Sequence, residues 1–402
     1  MTVQPAEPRS SVFSADGAGA IAGVLLVAAN LRAPLTGVGP LLGQIRESTG
    51  LSAAAAGFLN TLPIAVFALF SLVAAAAGRR LGIERALFLA MVLLAAGIAL
   101  RSLPGLAWLY GGTLLLGVAI GIGNVILPSV VKRDFARRIG TLTGMYAMVM
   151  TFAAGMAAGL AVPLAQALAG GWRRALDCWC VLAAAAALAW RRRARQSPPP
   201  PAAHAASHAA PVSVWRSPIA WQVTLFMGIQ ALNFYTLVAW LPSMVSEIGI
   251  GAAAAGWLLA MMQMTALLAS VLVPLMLARI SDHRRLALGV SLLCMACFAG
   301  LALTPGWTLA WIALSGLALG CSLVLSLAFI GLRAANAQQA AALSGMVQGL
   351  GYLIAAAGPV VCGLLRDHTG SWQATLWLMA ALAAVQGWAS FQAGRRRFVG
   401  QA

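Results

Sequence analysis

Acid is what this sequence has least of. Its 402 residues hold nine Asp and Glu against twenty-six Lys and Arg, and only 9% of the chain is charged. A soluble domain carries about 25% charged residues. Here 61% of residues are hydrophobic and the mean hydropathy is +0.89, which excludes a water-soluble domain and leaves an integral membrane protein. The same apolar content excludes nucleic acid as the partner behind the net charge of +17. Lysine is almost missing. Lys132, in Val131-Lys132-Arg133, stands alone, so no Gly-Lys-Ser/Thr phosphate loop exists and ATP has no motif to drive transport. Histidine is scarce too, and His204, His208, His283 and His368 fall in predicted loops. Without a His/Asp/Glu cluster or a nucleophile–base pair, no metal, no cofactor and no enzymatic activity is expected. The six cysteines lie in apolar segments, and Cys294-x-x-Cys297, with no His or carboxylate nearby, reads as packing.

What is present is long apolar runs. We place spans at 20–42, 54–77, 86–103, 106–130, 141–167, 172–190, 219–243, 252–278, 286–303, 306–331, 341–365 and 371–391, each near the 20 or so residues that cross a bilayer. Residues 1–19 are polar and hold no cleavable leader pattern, so they form a tail. Residues 191–217 are Arg-rich and then Pro/Ala/Ser-rich, and read as a flexible linker. The expected units are a tail (1–19), a six-helix bundle (20–190), a linker (191–217), a second bundle (218–392) and a tail (393–402). Basic residues crowd the tails, the linker and alternate loops, against only Arg46, Arg101, Arg173, Arg174 and Arg366 on the other side. That bias puts both termini in the cytoplasm of a multi-pass inner (cytoplasmic) membrane protein of a bacterium.

The stretch from Asn30 to Pro40, Asn-Leu-Arg-Ala-Pro-Leu-Thr-Gly-Val-Gly-Pro, breaks the first apolar run. At about 1.5 Å rise per residue Arg32 falls near mid-bilayer, where a guanidinium costs roughly 2.5–3.5 kcal/mol unless it meets a wet cavity or a partner. All nine acids fall in tails, loops or helix ends. A ligand carrying negative charge or dense acceptors is therefore the expected partner of Arg32, with pairing to helix carbonyls as the alternative.

The two bundles repeat. Ala53-Ala54-Ala55-Ala56-Gly57-Phe58-Leu59 recurs as Ala252-Ala253-Ala254-Ala255-Gly256-Trp257-Leu258, Thr143-Gly144-Met145 as Ser344-Gly345-Met346, and Gly117-x-x-x-Gly121 as Gly316-x-x-x-Gly320. Six spans is an even number, so the copies share one orientation. The fold class is all-α integral membrane, twelve transmembrane helices in two parallel six-helix pseudo-repeats. Asn30-Leu31-Arg32 through Gly39-Pro40-Leu41-Leu42, Gly121-Ile122-Gly123-Asn124 through Leu127-Pro128 to Lys132-Arg133-Asp134-Phe135, Gln230 through Trp240-Leu241-Pro242, and Ser344-Gly345-Met346 through Tyr352-Leu353 carry a resemblance over nearly the whole chain. The sequence resembles the cyanate permease / 2-nitroimidazole transporter family of the major facilitator superfamily. The resemblance implies alternating access, a monomer, and a small anion or small polar heterocycle bound between the halves. It departs from the superfamily's Gly-x-x-x-Asp-Arg loop: Gly78-Arg79-Arg80-Leu81-Gly82-Ile83-Glu84-Arg85 has no acid at the expected position, leaving Glu84 or Asp282 to substitute in the latch between halves.

Helical spacing nominates the rest of the site. Thr36 shares a face with Arg32, while Asn30 lies on another face and either lines the site or cross-links helices. Asn124 follows Gly117 and Gly121, which permit close helix approach. Gln230, Asn233 and Trp240 share a stripe, fit either for a small polar ligand or for helix–helix bonds. Tyr235, Tyr146, Gln263, Gln348 and Tyr352 complete the candidate substrate-binding set. Lys132, Arg133, Asp134, Arg79, Arg80 and Asp282 are the candidate gating contacts between halves. Asp177 either relays protons or pairs with Arg173 or Arg174. The expected function is transport of a small anion or weak acid, cyanate-like. The alternatives are export of nitroimidazole-like heterocycles and, in another class, a ligand-binding membrane sensor.

Overall fold

The computed structural model describes residues 15–135, 139–196, 214–280, 282–335, 337–395 and 397–399. His204, His208 and most of the linker lie outside the described residues, as do the side chains of Arg79 and Lys132. The first half runs α1 (Ala15–Asn30), α2 (Ala33–Thr36), a 3-10 turn (Gly39–Leu41), α3 (Leu42–Thr49), α4 (Ala53–Leu81), α5 (Ile83–Arg101), α6 (Leu106–Asp134), α7 (Ile139–Ala167), α8 (Trp172–Asp177) and α9 (Trp179–Gln196). The second half runs α10 (Pro218–Ser246), α11 (Ala252–Arg279), α12 (His283–Leu303), α13 (Thr308–Leu332), α14 (Ala337–Thr369) and α15 (Gln373–Ala393). Eleven segments among the described residues are long and apolar enough to cross a membrane. The remaining crossing is α8 plus α9, interrupted at Cys178 and ending in the Arg191–Arg195 run.

Two spans are therefore pieced together from shorter helices. In the first, Pro34 has no N–H to give the carbonyl of Asn30, and the chain turns at Leu31 and Arg32, where Arg32 adopts φ −126°. Glycine sets helix approach as the small-residue spacing requires. A Cβ on Gly117 would sit 2.9 Å from Pro63 Cα, and one on Gly320 would sit 2.7 Å from the carbonyl oxygen of Ala266.

The apolar core shows how the halves meet. Toward the end that bears both chain termini there are two separate cores. One lies in the first half (Leu87, Met91, Leu127, Trp190) and one in the second (Phe226, Leu325, Phe329, Val347). Toward the opposite, far end a single core joins both, with Leu41, Leu42 and Ile45 packed among Leu237, Trp240 and Leu241. Glycine makes that junction close. A Cβ on Gly39 would strike the carbonyl of Val238, on Gly57 that of Pro359, on Gly256 that of Ala158 at 2.7 Å, and on Gly363 that of Ala53 at 2.6 Å. Each contact crosses from one half to the other. Asp367 adds a polar tie, accepting the backbone N–H groups of Ala53 (3.1 Å) and Ala54 (2.9 Å) at the start of α4. A carboxylate there satisfies two donors that a helix N-terminus leaves without partners and meets the positive end of its dipole.

The molecule is thus shut at the far end and parted at the termini end. Widening the shut interface should open it. We expect Gly57→Leu and Asp367→Ala each to raise labelling of a cysteine placed at Leu241 by a membrane-impermeant maleimide applied from the far side. Asp367→Ala removes two charge-assisted bonds of about 1.5–3 kcal/mol each, enough to shift a balanced equilibrium more than tenfold. Labelling equal to that of the single-cysteine parent would refute this closure.

Candidate functional site

The cleft between the parted cores is a cavity of about 1490 Å³. Its mouth, at the termini end, is bordered by Thr143, Trp215, Leu327 and Ala342, and its blind end by Arg32, Ile64, Phe234, Tyr235 and Tyr352. Both halves contribute walls: the first supplies Arg32, Phe67, Asn124, Tyr146 and Thr151, and the second Gln230, Gln263, Gln348 and Tyr352.

Arg32 is half-buried at the helix break. The salt bridges among the described residues involve Arg133, Arg174, Arg193 and Arg366, and none reaches Arg32. Its guanidinium carbon instead lies 5.5 Å from the ring centroid of Phe234, across the boundary between halves. A second aromatic pair crosses the same boundary, Phe67 edge-on to Tyr352 at 4.7 Å, and Tyr352 lies 6.3 Å from Tyr235, which meets Phe234 edge-on at 5.2 Å. Phe234, Tyr235, Tyr352 and Phe67 form a continuous aromatic floor, with Arg32 beside it and, among the described residues, in no salt bridge. Polarity is sparse around them. Asn124 spends its Nδ2 donor on Ile120 O (3.0 Å), and Gln348 spends its Nε2 on the Ser344 hydroxyl (2.8 Å).

The break that presents Arg32 is held from behind by residues that do not line the cavity. Asn30 donates to Leu182 O in α9 (3.1 Å) and is the cross-link rather than the wall. Thr36 donates to Ala154 O in α7 (2.8 Å) and is fully enclosed. Arg101 donates to the carbonyl of Pro34 (2.7 Å), which the unwound backbone leaves free. Arg101, counted among the basic residues of the far side, is the last residue of α5 and is 1% exposed, packed beneath the first span.

Asn233 and Trp240 also stand outside the cavity. Asn233 is fully buried inside the second half. Trp240 donates to Pro359 O (2.8 Å) and packs on Trp372 with centroids 4.9 Å apart, deep in the far-end core. The stripe that joined them to Gln230 on a helical wheel is split by neighbours, since α14 covers part of it and α15 another. Phe67 and Phe234 are the wall residues that polarity-based reading passed over, because a mid-span Phe has no distinguishing spacing.

The charged cluster at the termini end ties one half together rather than bridging two. Arg133 pairs with Glu84 (2.6 Å) and Asp134 (2.7 Å), and Asp134 with Arg193 (2.9 Å), joining α5, α6 and α9. With the halves parted at this end, the ion pairs of Arg133, Asp134 and Glu84 stay within the first half, not in the latch between halves expected of them. Asp282 is exposed and caps its own helix, accepting Arg284 N–H at 3.1 Å, and Arg80 is exposed. Asp177 pairs with Arg174 (3.3 Å) at the far end.

Burial alone would raise the Asp134 carboxyl, but the hydrogen bonds and charges of Arg133 and Arg193 outweigh it and hold it below the ordinary carboxylate range. A depressed carboxylate stabilises the fold above its unfolded value and loses that contribution as pH falls through the folded one. We expect Asp134→Asn to be less stable than wild type from neutral pH down to about 5, the gap closing as the pH drops below roughly 4. Melting curves across that window check it, and a gap that does not narrow with acidification contradicts it.

Comparison with known proteins adds a lineage to this geometry. The profile of the family described as Major Facilitator Superfamily matches residues 21–356 and 229–392. A 2-nitroimidazole transporter of Escherichia coli (strain K12) is 42% identical over 379 residues, covering 93% of this chain and 95% of the relative. The cyanate transport protein CynX of the same strain is 31% identical over 367 residues, covering 90% and 93%. A solved structure of the nucleoside transporter NupG superposes with a TM-score of 0.75 at 14% identity, covering 92% of this chain and 98% of that one.

Proposed function

The chain belongs to the major facilitator superfamily and is a multi-pass membrane transporter, and we propose that it carries small planar anions, weak acids or nitro-substituted heterocycles, bound at Arg32 and moved by alternating access. The observation that carries this reading is Arg32 itself, a guanidinium facing a cavity shared by both halves with no carboxylate beside it among the described residues. Holding such a charge in a weakly hydrated site is costly unless the occupant brings acceptors. A carboxylate, a nitro group or a deprotonated ring nitrogen offers them in the plane that a guanidinium fork matches.

Cavity shape narrows the class. A bare triatomic anion would leave most of 1490 Å³ to water, whereas a flat ring can lie against the Phe234–Tyr235–Tyr352 floor while its charged edge meets Arg32. The 42% identical relative is named for a nitroheterocycle, which agrees with that preference. Among the described residues no carboxylate lines the cavity. We therefore place any coupled proton on the weak-acid substrate rather than on the protein. The Arg-rich termini end is the cytoplasmic one by charge bias, which makes this the inward-open state.

Purified wild type and Arg32→Ala should separate in a thermal-shift titration with 2-nitroimidazole, benzoate and cyanate. A ligand at 100 times its dissociation constant stabilises by about 2.7 kcal/mol, and we expect that gain in wild type for the ring compounds and its loss in Arg32→Ala. Liposome flux with the stabilising compound then distinguishes a transporter from a sensor. An Arg32→Ala protein that still responds like wild type refutes the assignment.

A further inference from the structure

Buried side-chain polar atoms find hydrogen-bond partners in folded proteins almost without exception, and those that do not call for an occupant or a cost. Three such atoms without a partner among the described residues belong to side chains that line the cavity: Gln230 Oε1, Gln263 Nε2 and Gln263 Oε1. Gln230 is 2% exposed and Gln263 is 0% exposed, so bulk water does not serve them. Both lie in the second half, on α10 and α11, whereas Arg32 lies in the first. Gln230 is oriented by its neighbour: its Nε2 donates to the carbonyl of Leu319 in α13 at 3.1 Å, which commits its remaining atom, Oε1, to act as an acceptor.

Resting on the reading of the cavity given above, we propose that Gln230 and Gln263 form a second recognition point for the substrate, selective for a neutral N–H or O–H donor at the edge remote from the group held by Arg32. The site then takes a two-ended planar ligand. One edge is anionic or acceptor-rich and meets Arg32 in the first half. The other donates to the amide oxygens of Gln230 and Gln263 in the second, while Gln263 Nε2 can donate back to an adjacent acceptor. A ring bearing an N–H, or a phenolic acid, satisfies both ends; a bare anion satisfies one. Such a ligand also ties the two halves together through its own length, so full occupancy of both ends is what would favour closing the cleft over it. Discrimination follows from the amides being unpaired without it: an analogue whose donor is capped leaves them as orphaned as before and gains nothing from them.

The test uses matched pairs differing in one donor that lies across the ring from the nitro or carboxylate group: 4-nitroimidazole with 1-methyl-4-nitroimidazole, and 4-hydroxybenzoate with 4-methoxybenzoate. Each is titrated by calorimetry into purified full-length wild type, Gln263→Met and Arg32→Gln. We expect wild type to prefer the donor-bearing member of each pair by about ten- to a hundredfold, the worth of one or two buried hydrogen bonds. Gln263→Met, an apolar near-isostere, should narrow that preference severalfold by weakening the donor-bearing member, Gln230 Oε1 keeping the remainder, whereas steric rejection of the cap would survive that substitution in full. Arg32→Gln should weaken both members alike. Gln263→Met should also melt no lower than wild type without ligand, because it removes an amide that has no partner to lose. Equal binding of both members by wild type, a preference undiminished in Gln263→Met, or a lower melting temperature of that variant alone would each overturn the proposal. Failure of wild type to bind any of the four compounds overturns the reading of the cavity, and this inference with it.

Discussion

A guanidinium inside an apolar span, with no carboxylate in contact among the described residues, constrains everything around it. Arg32 is costly to face toward lipid, so the helix that carries it lines a polar or wet space. Pro34 and the turn at Leu31 interrupt that helix, and a broken helix inside a membrane exposes carbonyls that need donors. Arg101 meets that need by donating to the carbonyl of Pro34, and Thr36 ties the interrupted helix to α7 by donating to Ala154. Arg32 and the residues behind it are therefore one problem solved together. Arg101 is itself a buried guanidinium, tolerated because it repairs the backbone of the first span.

The second constraint is how two bundles can touch firmly at one end and part at the other. At the far end the contact is backbone against backbone, through Gly39, Gly57, Gly256 and Gly363, with Asp367 bound across it. Flat glycine faces allow close approach without interlocking side chains, so the interface can separate without unthreading rotamers. At the termini end the salt bridges of Arg133, Asp134, Glu84 and Arg193 stay within one half. They stiffen that half as a body and leave the cleft free to widen. Between these ends the aromatic residues Phe67, Tyr352, Tyr235 and Phe234 line the cavity and touch one another across the boundary between halves. The cavity-lining residues and those that join the halves are thus partly the same side chains.

Much of this was legible beforehand, for physical reasons that are local. Bilayer thickness forces twelve apolar runs to declare themselves, and an even count per repeat forces parallel halves. Arg32 stands out because a mid-span charge is expensive and rare. Asn124, Tyr146, Gln230, Tyr235, Gln263, Gln348 and Tyr352 were nominated as polar or aromatic residues in apolar spans, and all border the cavity. Asn30, Thr36, Asn233 and Trp240 met the same criterion and turned inward to neighbouring helices. Polarity within a span identifies a residue that needs a partner. It does not say whether that partner is a ligand or a carbonyl on the next helix.

The sequence by itself determined the class of molecule, the pairing of its halves, the uneven spread of its charge and the rarity of an arginine, Arg32, inside an apolar span, because hydropathy, repeat and charge are readable along a line. Which of its polar residues face the same space, that Arg101 is buried and Asp367 bridges the halves, that Arg133 and Asp134 act within one half, and which end stands open were decided by the tertiary structure alone. Those facts depend on which helix faces meet, and a helix of 3.6 residues per turn offers several faces among which only its packed neighbours choose.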